Sequence, residues 1–358
     1  MSKADHSSIV PEGRWAALRA ELAALPQHPR GQGDLRNLFP RLKRTVDFVA
    51  HVRFRTARVL ARLNPYPRPW RHVSVPVEDG VQVAGWLGPQ HWDAPSPWGL
   101  VIVPGMFSTK DDTVHKRRAI HIHRHWKIPV LAIDLRAFGE STGIATAGWK
   151  EALDVHAAAH YLAAETGVTR VAIMAESMGG AAALNALAHD GESGANLLSG
   201  GVLCFSAFMD TKDAVSYISH PPPRHHPFRQ TYGGFRRLLM TKSDGAYDRF
   251  DDLLTDVARV YGLKDVEELY DLANPKWKVP LMKQPTLLIH STDDPVVPVR
   301  HAHRMERYAE GRDNVQVLLT SWGGHTAFEL LEPHWFWEVC RRFYGAANGV
   351  ELENLARR

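Results

Sequence analysis

The sequence predicts an α/β fold in which a mostly parallel sheet is flanked by helices. From residue 72 onward, short Val, Ile and Leu runs alternate with spacers of helical length, which is typical of parallel strands joined by helical crossovers. This alternation stops for about seventy residues after residue 209. We therefore expect an N-terminal helical extension over 1–71, a core formed by 72–209 and 284–358, and a helical cap insertion over 210–283. A chain of 358 residues, 44% of them hydrophobic, suffices for one such domain with appendages.

The core elements follow from the length and composition of each apolar run. Runs of four to eight β-branched and aliphatic residues predict buried strands, and longer amphipathic runs between them predict helices. In order, we expect strands at 72–76, 82–88 and 98–103, a helix at 109–126, a strand at 129–134, a helix at 147–165, a strand at 169–174, a helix at 178–189, strands at 200–206 and 285–290, a helix at 298–309, a strand at 314–319 and a helix at 332–345.

The N-terminal extension is basic. Residues 41–63 place apolar side chains near one helical face, so a long amphipathic helix is expected there. Residues 30–71 hold eleven Lys or Arg and two Asp or Glu, a net charge of +9, whereas the whole chain carries +4. A basic amphipathic helix can make a peripheral contact with an anionic membrane. We favour the alternative, a helix docked on the cap or at a dimer interface with its basic face in water.

The cap insertion is expected to cover the functional site. Its helical pieces are broken by Pro221-Pro222-Pro223, and segments this long between two core strands are usually functional when they are ordered. Aromatic residues such as Phe228 and Tyr232 would give the cap an apolar underside that suits an acyl chain or a ring. The same residues could instead only pack the cap onto the sheet. The candidate substrate contacts are therefore Phe228 and Tyr232, together with Phe107 in the loop after strand 98–103.

One strand is followed by a serine in a turn. Residues 169–180 read as a buried strand, a sharp turn at Ala175-Glu176-Ser177-Met178-Gly179 and the start of a helix. This is a variant of the nucleophile elbow G-x-S-x-G with alanine at the first small position, and such a turn lifts the serine hydroxyl clear of the sheet. Ser177 is therefore the candidate nucleophile.

A serine nucleophile needs a histidine base and a carboxylate that orients it, and both follow in the chain. Asp294 lies at the end of strand 285–290, where parallel sheets place their sites, and His325 follows Gly323-Gly324 after strand 314–319. Asp293 and Asp210 remain alternative acids. The spacing favours Asp294.

Taken together, residues 72–345 resemble an α/β-hydrolase. The stretch from Asp134 to Ser141 is similar to the D-x-R-G-x-G-x-S segment of that family, with alanine at position 137. Short fragments, Asp293-Asp294-Pro295 and Gly323-Gly324-His325, look most like the YheT-like branch of predicted esterases and acyltransferases. The resemblance implies that Ser177, Asp294 and His325 are the catalytic triad.

The resemblance also implies an oxyanion hole made by two backbone N–H groups. Met178, at the start of the helix, would supply one of them. Pro104-Gly105-Met106 resembles the His-Gly-x signature after the third strand, with proline in place of histidine, so Met106 would supply the other. The predicted function is hydrolysis of a carboxylic ester or thioester through an acyl-enzyme on Ser177. The alternatives are an acyltransferase, a C–C bond hydrolase and a non-enzymatic binding protein.

No cofactor or metal is expected for this chemistry. His121, His123 and His125 alternate, but in the predicted helix residues two apart point away from each other. The expected partner is a small-molecule acyl substrate, and no nucleic-acid-binding module is recognisable. The chain starts without an apolar signal segment and has two cysteines, Cys204 and Cys340, which do not make a disulfide framework. A cytoplasmic location is predicted.

Overall fold

The computed structural model of the chain describes residues 14–25, 66–91, 95–194, 196–220, 232–233, 236–237, 239–240 and 243–357. The helix predicted at 41–63 and the candidate contact Phe228 lie outside the described residues. In the part of the chain that is described, no helix is both long enough and apolar enough to cross a membrane.

The described core contains an eight-stranded sheet, as the sequence predicts. Its order is β1-β2-β4-β3-β5-β6-β7-β8, and the pairs β1-β2 and β2-β4 are antiparallel, whereas the remaining neighbours are parallel. The strands are β1 Arg71–Pro76, β2 Gln82–Gly88, β3 Trp98–Val103, β4 Val130–Ile133, β5 Arg170–Glu176, β6 Val202–Phe205, β7 Thr286–Ser291 and β8 Val315–Thr320. The mostly parallel sheet places the carboxyl ends of β3, β5, β6, β7 and β8 at one edge.

Helices flank the sheet, and the five core helices predicted from the sequence lie within about four residues of their expected bounds. They are α1 Arg14–Ala23, α2 Thr113–Trp126, α3 Glu151–Thr166, α4 Ser177–Ser193, α5 Thr211–Ser219, α6 Phe250–Val260, α7 Val266–Ala273, α8 Arg300–Tyr308, α9 Phe328–Leu331 and α10 Pro333–Asn348, with 3-10 turns at Leu197–Gly200, Pro275–Leu281 and Leu355–Arg357. Helix α2 begins four residues later than expected. The Asp112 side chain accepts hydrogen bonds from Thr109 and Ser108, which holds 109–112 in a turn.

Alternation along the strands divides the core into two layers. Val101 and Ile173 belong to the cluster that includes residues of α3 and α4, whereas Leu100 and Ala172 belong to the cluster that includes residues of α2 and α10. Neighbouring strand residues point to opposite faces, so runs of fully apolar residues supply both layers. Helix α1 joins the second layer through Trp15, Leu18 and Leu22, and the Gln316 amide donates to the Trp15 carbonyl at 2.6 Å.

Two parts of the insertion between β6 and β7, helix α5 and the segment Val266–Leu281, make different contacts with the core. Helix α5 follows β6 along the chain, and its apolar residues belong to the same core layer as residues of α3 and α4. Farther along, the Asn185 amide donates to the Ala273 carbonyl at 3.0 Å, and a methyl group at Gly191 would stand 2.3 Å from the Leu281 carbonyl oxygen. The last part of the insertion, Val266–Leu281, therefore packs along α4.

Candidate active site

The turn at Ser177 has the strained backbone that a nucleophile elbow requires. Strand β5 ends at Glu176, α4 begins at Ser177, and Ser177 has φ +51°, in the left-handed region. A methyl group at Gly179 would lie 2.2 Å from the Pro104 carbonyl oxygen, so only glycine allows α4 to approach the end of β3 this closely. Ala175, at the other small position, is fully buried in β5. The alanine variant of the motif thus keeps the elbow geometry.

The structure brings His325 and Asp294 together. Asp294 Oδ2 lies 3.0 Å and Oδ1 3.2 Å from His325 Nδ1, and the carboxylate is almost fully buried. The backbone N–H groups of Val296 and Val297 donate to Asp294 Oδ1 at 2.8 and 2.9 Å. The carboxylate is therefore fixed, and a proton on His325 Nδ1 leaves Nε2 as the nitrogen able to accept another.

The two alternative acids have other partners. Asp293 accepts a hydrogen bond from the Gly324 N–H at 2.8 Å and another from the Ser291 hydroxyl, so it holds the loop that carries the histidine. Asp210 caps α5 by accepting from the Asp213 N–H at 3.0 Å and pairs with Lys276. Neither contact includes the imidazole of His325.

His325 and Asp294 shift each other's pKa. Burial opposes the imidazolium, but the neighbouring Asp294 carboxylate outweighs burial and raises the pKa of His325 above its usual value. Burial likewise favours the neutral form of Asp294. The charge and hydrogen bond of His325 nevertheless lower the pKa of this carboxyl below its usual range.

Ser177 and His325 line the same cavity. The cavity has a volume of about 150 Å³, and its lining also includes Gly105 and the two residues predicted for the oxyanion hole, Met106 and Met178. Gly105 presses against the serine, since a methyl group there would stand 3.1 Å from Ser177 Cβ. All but one of the predicted catalytic and oxyanion residues thus border one space, and the remaining residue, Asp294, lies behind His325.

The apolar wall of the cavity differs from the predicted one. It is formed by Phe208, Ala214, Val215, Ile218, Val296 and Val297. Phe107 is absent from the described lining, and its ring packs against Phe138 and Phe250 at 5.7 and 6.0 Å. Tyr232 is likewise absent from it, with its hydroxyl 3.4 Å from the Ser219 carbonyl oxygen. The amphipathic spacing of 214, 215 and 218 directly after β6 was the sequence signal for this wall.

A buried ionic network lies behind the elbow, and sequence reasoning missed it. Arg118 Nη1 is 2.5 Å from Glu176 Oε1, and Arg118 Nε is 2.7 Å from Glu329 Oε2. Glu176 also lines the cavity, and its Oε2 lies 3.7 Å from His115 Nε2. Burial favours neutral Glu176, but Arg118 and then His115 outweigh it and keep the pKa of this carboxyl below its usual value. The network anchors the residue that precedes the nucleophile.

One carboxylate trio among the described residues is compact enough to hold a metal ion. It consists of Asp111, Asp134 and Glu140, and the Lys110 ammonium contacts all three at 2.9, 2.8 and 2.7 Å. The lysine therefore supplies the positive charge that this trio needs. The alternating histidines at 121, 123 and 125 lie on α2, as expected, and His123 Nδ1 bonds the Ile128 carbonyl at 2.9 Å.

The fold and the site define an α/β-hydrolase architecture, and the comparison with known families agrees. A sequence model described as "Alpha/beta hydrolase family" matches residues 117–339, more than half of the chain. The chain belongs to the alpha/beta hydrolase family. The predicted fold is confirmed, while the finer placement in the YheT-like branch stays a prediction.

Individual relatives are more distant. Abhydrolase domain-containing protein 2 of Drosophila melanogaster is 31% identical over 70 residues, which are 20% of this chain and only 18% of the fly protein. The esterase Pf2001 of Pyrococcus furiosus superposes with a TM-score of 0.56 at 20% identity, covering 78% of this chain and 91% of that one. The alpha/beta hydrolase GrgF from Penicillium sp. sh18 gives 0.54 at 15% identity over 78% and 99%. The 2,6-dihydroxy-pseudo-oxynicotine hydrolase gives 0.55 at 15% identity over 83% and 73%. These likenesses support the fold alone.

Proposed function

We propose that the chain is a serine hydrolase that cleaves a carboxylic ester or thioester through an acyl-enzyme on Ser177. One observation carries the proposal. Ser177, in a strained elbow, shares a cavity with His325, whose Nδ1 is 3.0 Å from the buried Asp294 carboxylate. Membership in the alpha/beta hydrolase family supports hydrolysis in general, and a Ser-His-Asp arrangement supports a covalent acyl-enzyme route.

Each step of the proposed reaction uses Ser177, His325 or Asp294. Ser177 Oγ attacks the substrate carbonyl while His325 Nε2 takes its proton, and Asp294 stabilises the resulting imidazolium. His325 then gives that proton to the leaving alcohol or thiol. A water molecule, deprotonated by the same nitrogen, attacks the acyl-enzyme, and the acid leaves as Ser177 regains its proton.

The developing negative charge needs donors that are fixed before the reaction begins. The Met178 N–H lies at the N-terminus of α4, where the helix dipole adds to its effect. The Met106 N–H follows Gly105, which packs against the serine. We assign the oxyanion hole to these two backbone groups. Side-chain substitution at either position would leave the donor itself in place.

The cavity restricts the acyl group. An apolar cavity of about 150 Å³ is the size that admits benzene. With Val215, Ile218 and Val297 in the wall, the site suits a short aliphatic or aromatic acyl group of roughly six carbon atoms. Longer chains would have to extend toward the opening of the cavity.

An activity-based probe tests the proposal directly. A fluorophosphonate should label Ser177, as located by mass spectrometry, and labelling should be lost in Ser177→Ala and strongly slowed in His325→Ala. Undiminished labelling of the Ser177→Ala protein, or none of the wild type, would exclude the assignment.

A panel of p-nitrophenyl esters from acetate to dodecanoate tests the acyl size. The rate should peak near hexanoate or benzoate. Added alcohols and amines provide a further arm, because capture of the acyl group by an acceptor in preference to water would identify an acyltransferase instead.

A further inference from the structure

Three histidines meet on the surface between two helices, remote from the elbow. His156 and His160 lie one turn apart on α3, and His189 lies near the end of the adjacent α4. The Nε2 atoms of His156 and His160 are 3.3 Å apart. The ring of His189 stacks on that of His156, with centroids 4.8 Å apart and planes inclined by 30°. His156 is half-buried and the other two are exposed.

The separation of the first two nitrogens matches that of two ligands on one metal ion. Zinc binds imidazole nitrogen at about 2.0–2.1 Å with tetrahedral angles, which places two such nitrogens roughly 3.3 Å from each other. Residues at i and i+4 share one helical face, so α3 carries both rings on the same side. The third imidazole, from α4, stacks on the ring of His156, and a change of rotamer of the exposed His189 side chain would be needed to bring its nitrogen to the same ion.

We propose that His156, His160 and His189 form a binding site for a divalent transition-metal ion of the zinc class. Imidazole nitrogen is a preferred ligand of zinc, copper and nickel, whereas calcium and magnesium prefer oxygen. Three protein ligands leave the fourth position to water. An ion bound here would link α3 to α4.

Each imidazole binds a metal ion through a ring nitrogen that carries no proton. The contact between the two Nε2 atoms uses one N–H and one lone pair, and a change of tautomer frees the second lone pair.

The chain contains a matched comparison pair. His121 and His125 also stand at i and i+4 on a helix, but their ring centroids are 5.6 Å apart. The rings of His156 and His160 have centroids only 4.4 Å apart, so the comparison pair is less well spaced to share one ion. It controls for the general affinity of histidine-rich surfaces for metal ions.

The proposed site is structural, because it is far from the chemistry. His189 follows Ser177 by twelve residues in the same helix, and at 1.5 Å per residue the two are about 18 Å apart. Metal binding should therefore raise the thermal stability of the protein. The rate of hydrolysis should stay unchanged. Measurements of metal binding can therefore test the site without an assay of hydrolysis.

Calorimetric titration of the full chain with Zn²⁺ tests the site. The wild type should bind at one site that His156→Ala and His160→Ala each weaken by roughly tenfold or more, with His189→Ala also weaker. The double variant His121→Ala/His125→Ala should bind as the wild type does. Circular dichroism checks that every variant is folded.

The outcomes separate the proposal from adventitious binding. Zn²⁺ should raise the melting temperature of the wild type and of the His121→Ala/His125→Ala control, but not of the triple variant. Equal binding by the triple variant, or equal weakening in the control, would overturn the site. Unchanged binding by His189→Ala would remove that residue from the ligand set.

Discussion

At the scale of single residues, the backbone of Ser177 links function to stability. A non-glycine residue at φ +51° is strained, and glycine adopts this conformation freely. We predict that Ser177→Gly has a free energy of unfolding about 1 kcal/mol higher than that of Ser177→Ala. Both variants lack the nucleophile, so the comparison isolates the backbone. Urea denaturation measures it, and a more stable alanine variant would contradict the prediction.

The pH dependence of the reaction should report His325. The imidazole must be neutral to accept the serine proton, and Asp294 raises its pKa above the usual value. We therefore expect kcat/KM to rise with pH, with an apparent pKa above about 6.5, and to level off in mildly alkaline solution. A rate that falls across this range would contradict the assignment of the base.

Replacement of the orienting carboxylate gives an independent prediction. Asp294→Asn keeps the shape of the side chain but removes its charge, and a comparable change in a known triad lowers kcat roughly 10⁴-fold. Asp293→Asn is the matched control. It should cause a much smaller loss, because Asp293 bonds the Gly324 N–H and not the imidazole. Steady-state kinetics with one p-nitrophenyl ester decides between the two carboxylates, and a larger loss at Asp293 would reverse the assignment.

The candidate triad residues could be found in the sequence because their signals are local. Ser177 stands in a strand-turn-helix pattern, and His325 follows a double glycine after a strand. Asp293 and Asp294 are harder to separate, since both follow β7. Spacing favoured Asp294, and the structure shows which of the two side chains turns toward His325 Nδ1.

At the scale of elements, α5 forms part of the cavity wall. Val215 and Ile218 line the cavity, so removing three carbons from Ile218 should enlarge it. We predict that Ile218→Ala moves the preferred ester toward longer chains, each methylene contributing about 0.8 kcal/mol of burial. The change would appear as a shifted optimum of kcat/KM across the ester panel.

The control for this prediction lies on the same helix. Lys212 is exposed and pairs with Glu267 at 2.7 Å, an interaction of little energetic value. Lys212→Ala should leave the chain-length optimum where it is. If the optimal chain length moves in Lys212→Ala, or stays the same in Ile218→Ala, then Ile218 does not limit the length of the acyl chain.

Elements differed in how well the sequence predicted them. The strands have strong signals because both faces of a parallel sheet are buried, which gives continuous apolar runs. The insertion has a weaker signal. Its amphipathic helices show which face is apolar, but not whether that face meets the cavity or α4, and only the folded chain places Val266–Leu281 along α4. Phe107 and Tyr232 do not line the described cavity, and their contact with substrate stays a prediction.

At the scale of the whole molecule, Arg118 joins three distant segments. Its guanidinium, about 1% exposed, bridges Glu176 of the elbow and Glu329 of α9, which are 58 and 211 residues away in the sequence. No local pattern reveals pairs at such separations, so sequence reasoning could not predict them. The network connects α2, the turn at Ser177 and the segment after His325.

Breaking this network should destabilise the protein strongly. Arg118→Met leaves the buried carboxylates of Glu176 and Glu329 without their shared partner, and losing one member of a buried ion pair costs about 3–5 kcal/mol. Arg117→Met is the matched control. Arg117 pairs with the same Glu329 at 2.6 Å but is 54% exposed, so its loss should change the free energy of unfolding by about 0–1 kcal/mol. Urea denaturation at pH 7 should separate the two, and equal values would reject the bridging role.

Acid should weaken the same network in the wild type. The folded-state pKa of Glu176 lies below its usual value because Arg118 outweighs burial, so its contribution to stability is present above the unfolded pKa. That contribution is lost as the pH falls through the folded pKa.

In Arg118→Met the neighbouring cation is gone and burial then favours the neutral acid. We therefore expect the variant to lose less stability than the wild type between pH 7 and pH 4. Parallel urea titrations measure this difference, and an equal or steeper loss in Arg118→Met would show that Glu176 does not depend on Arg118 for its charge.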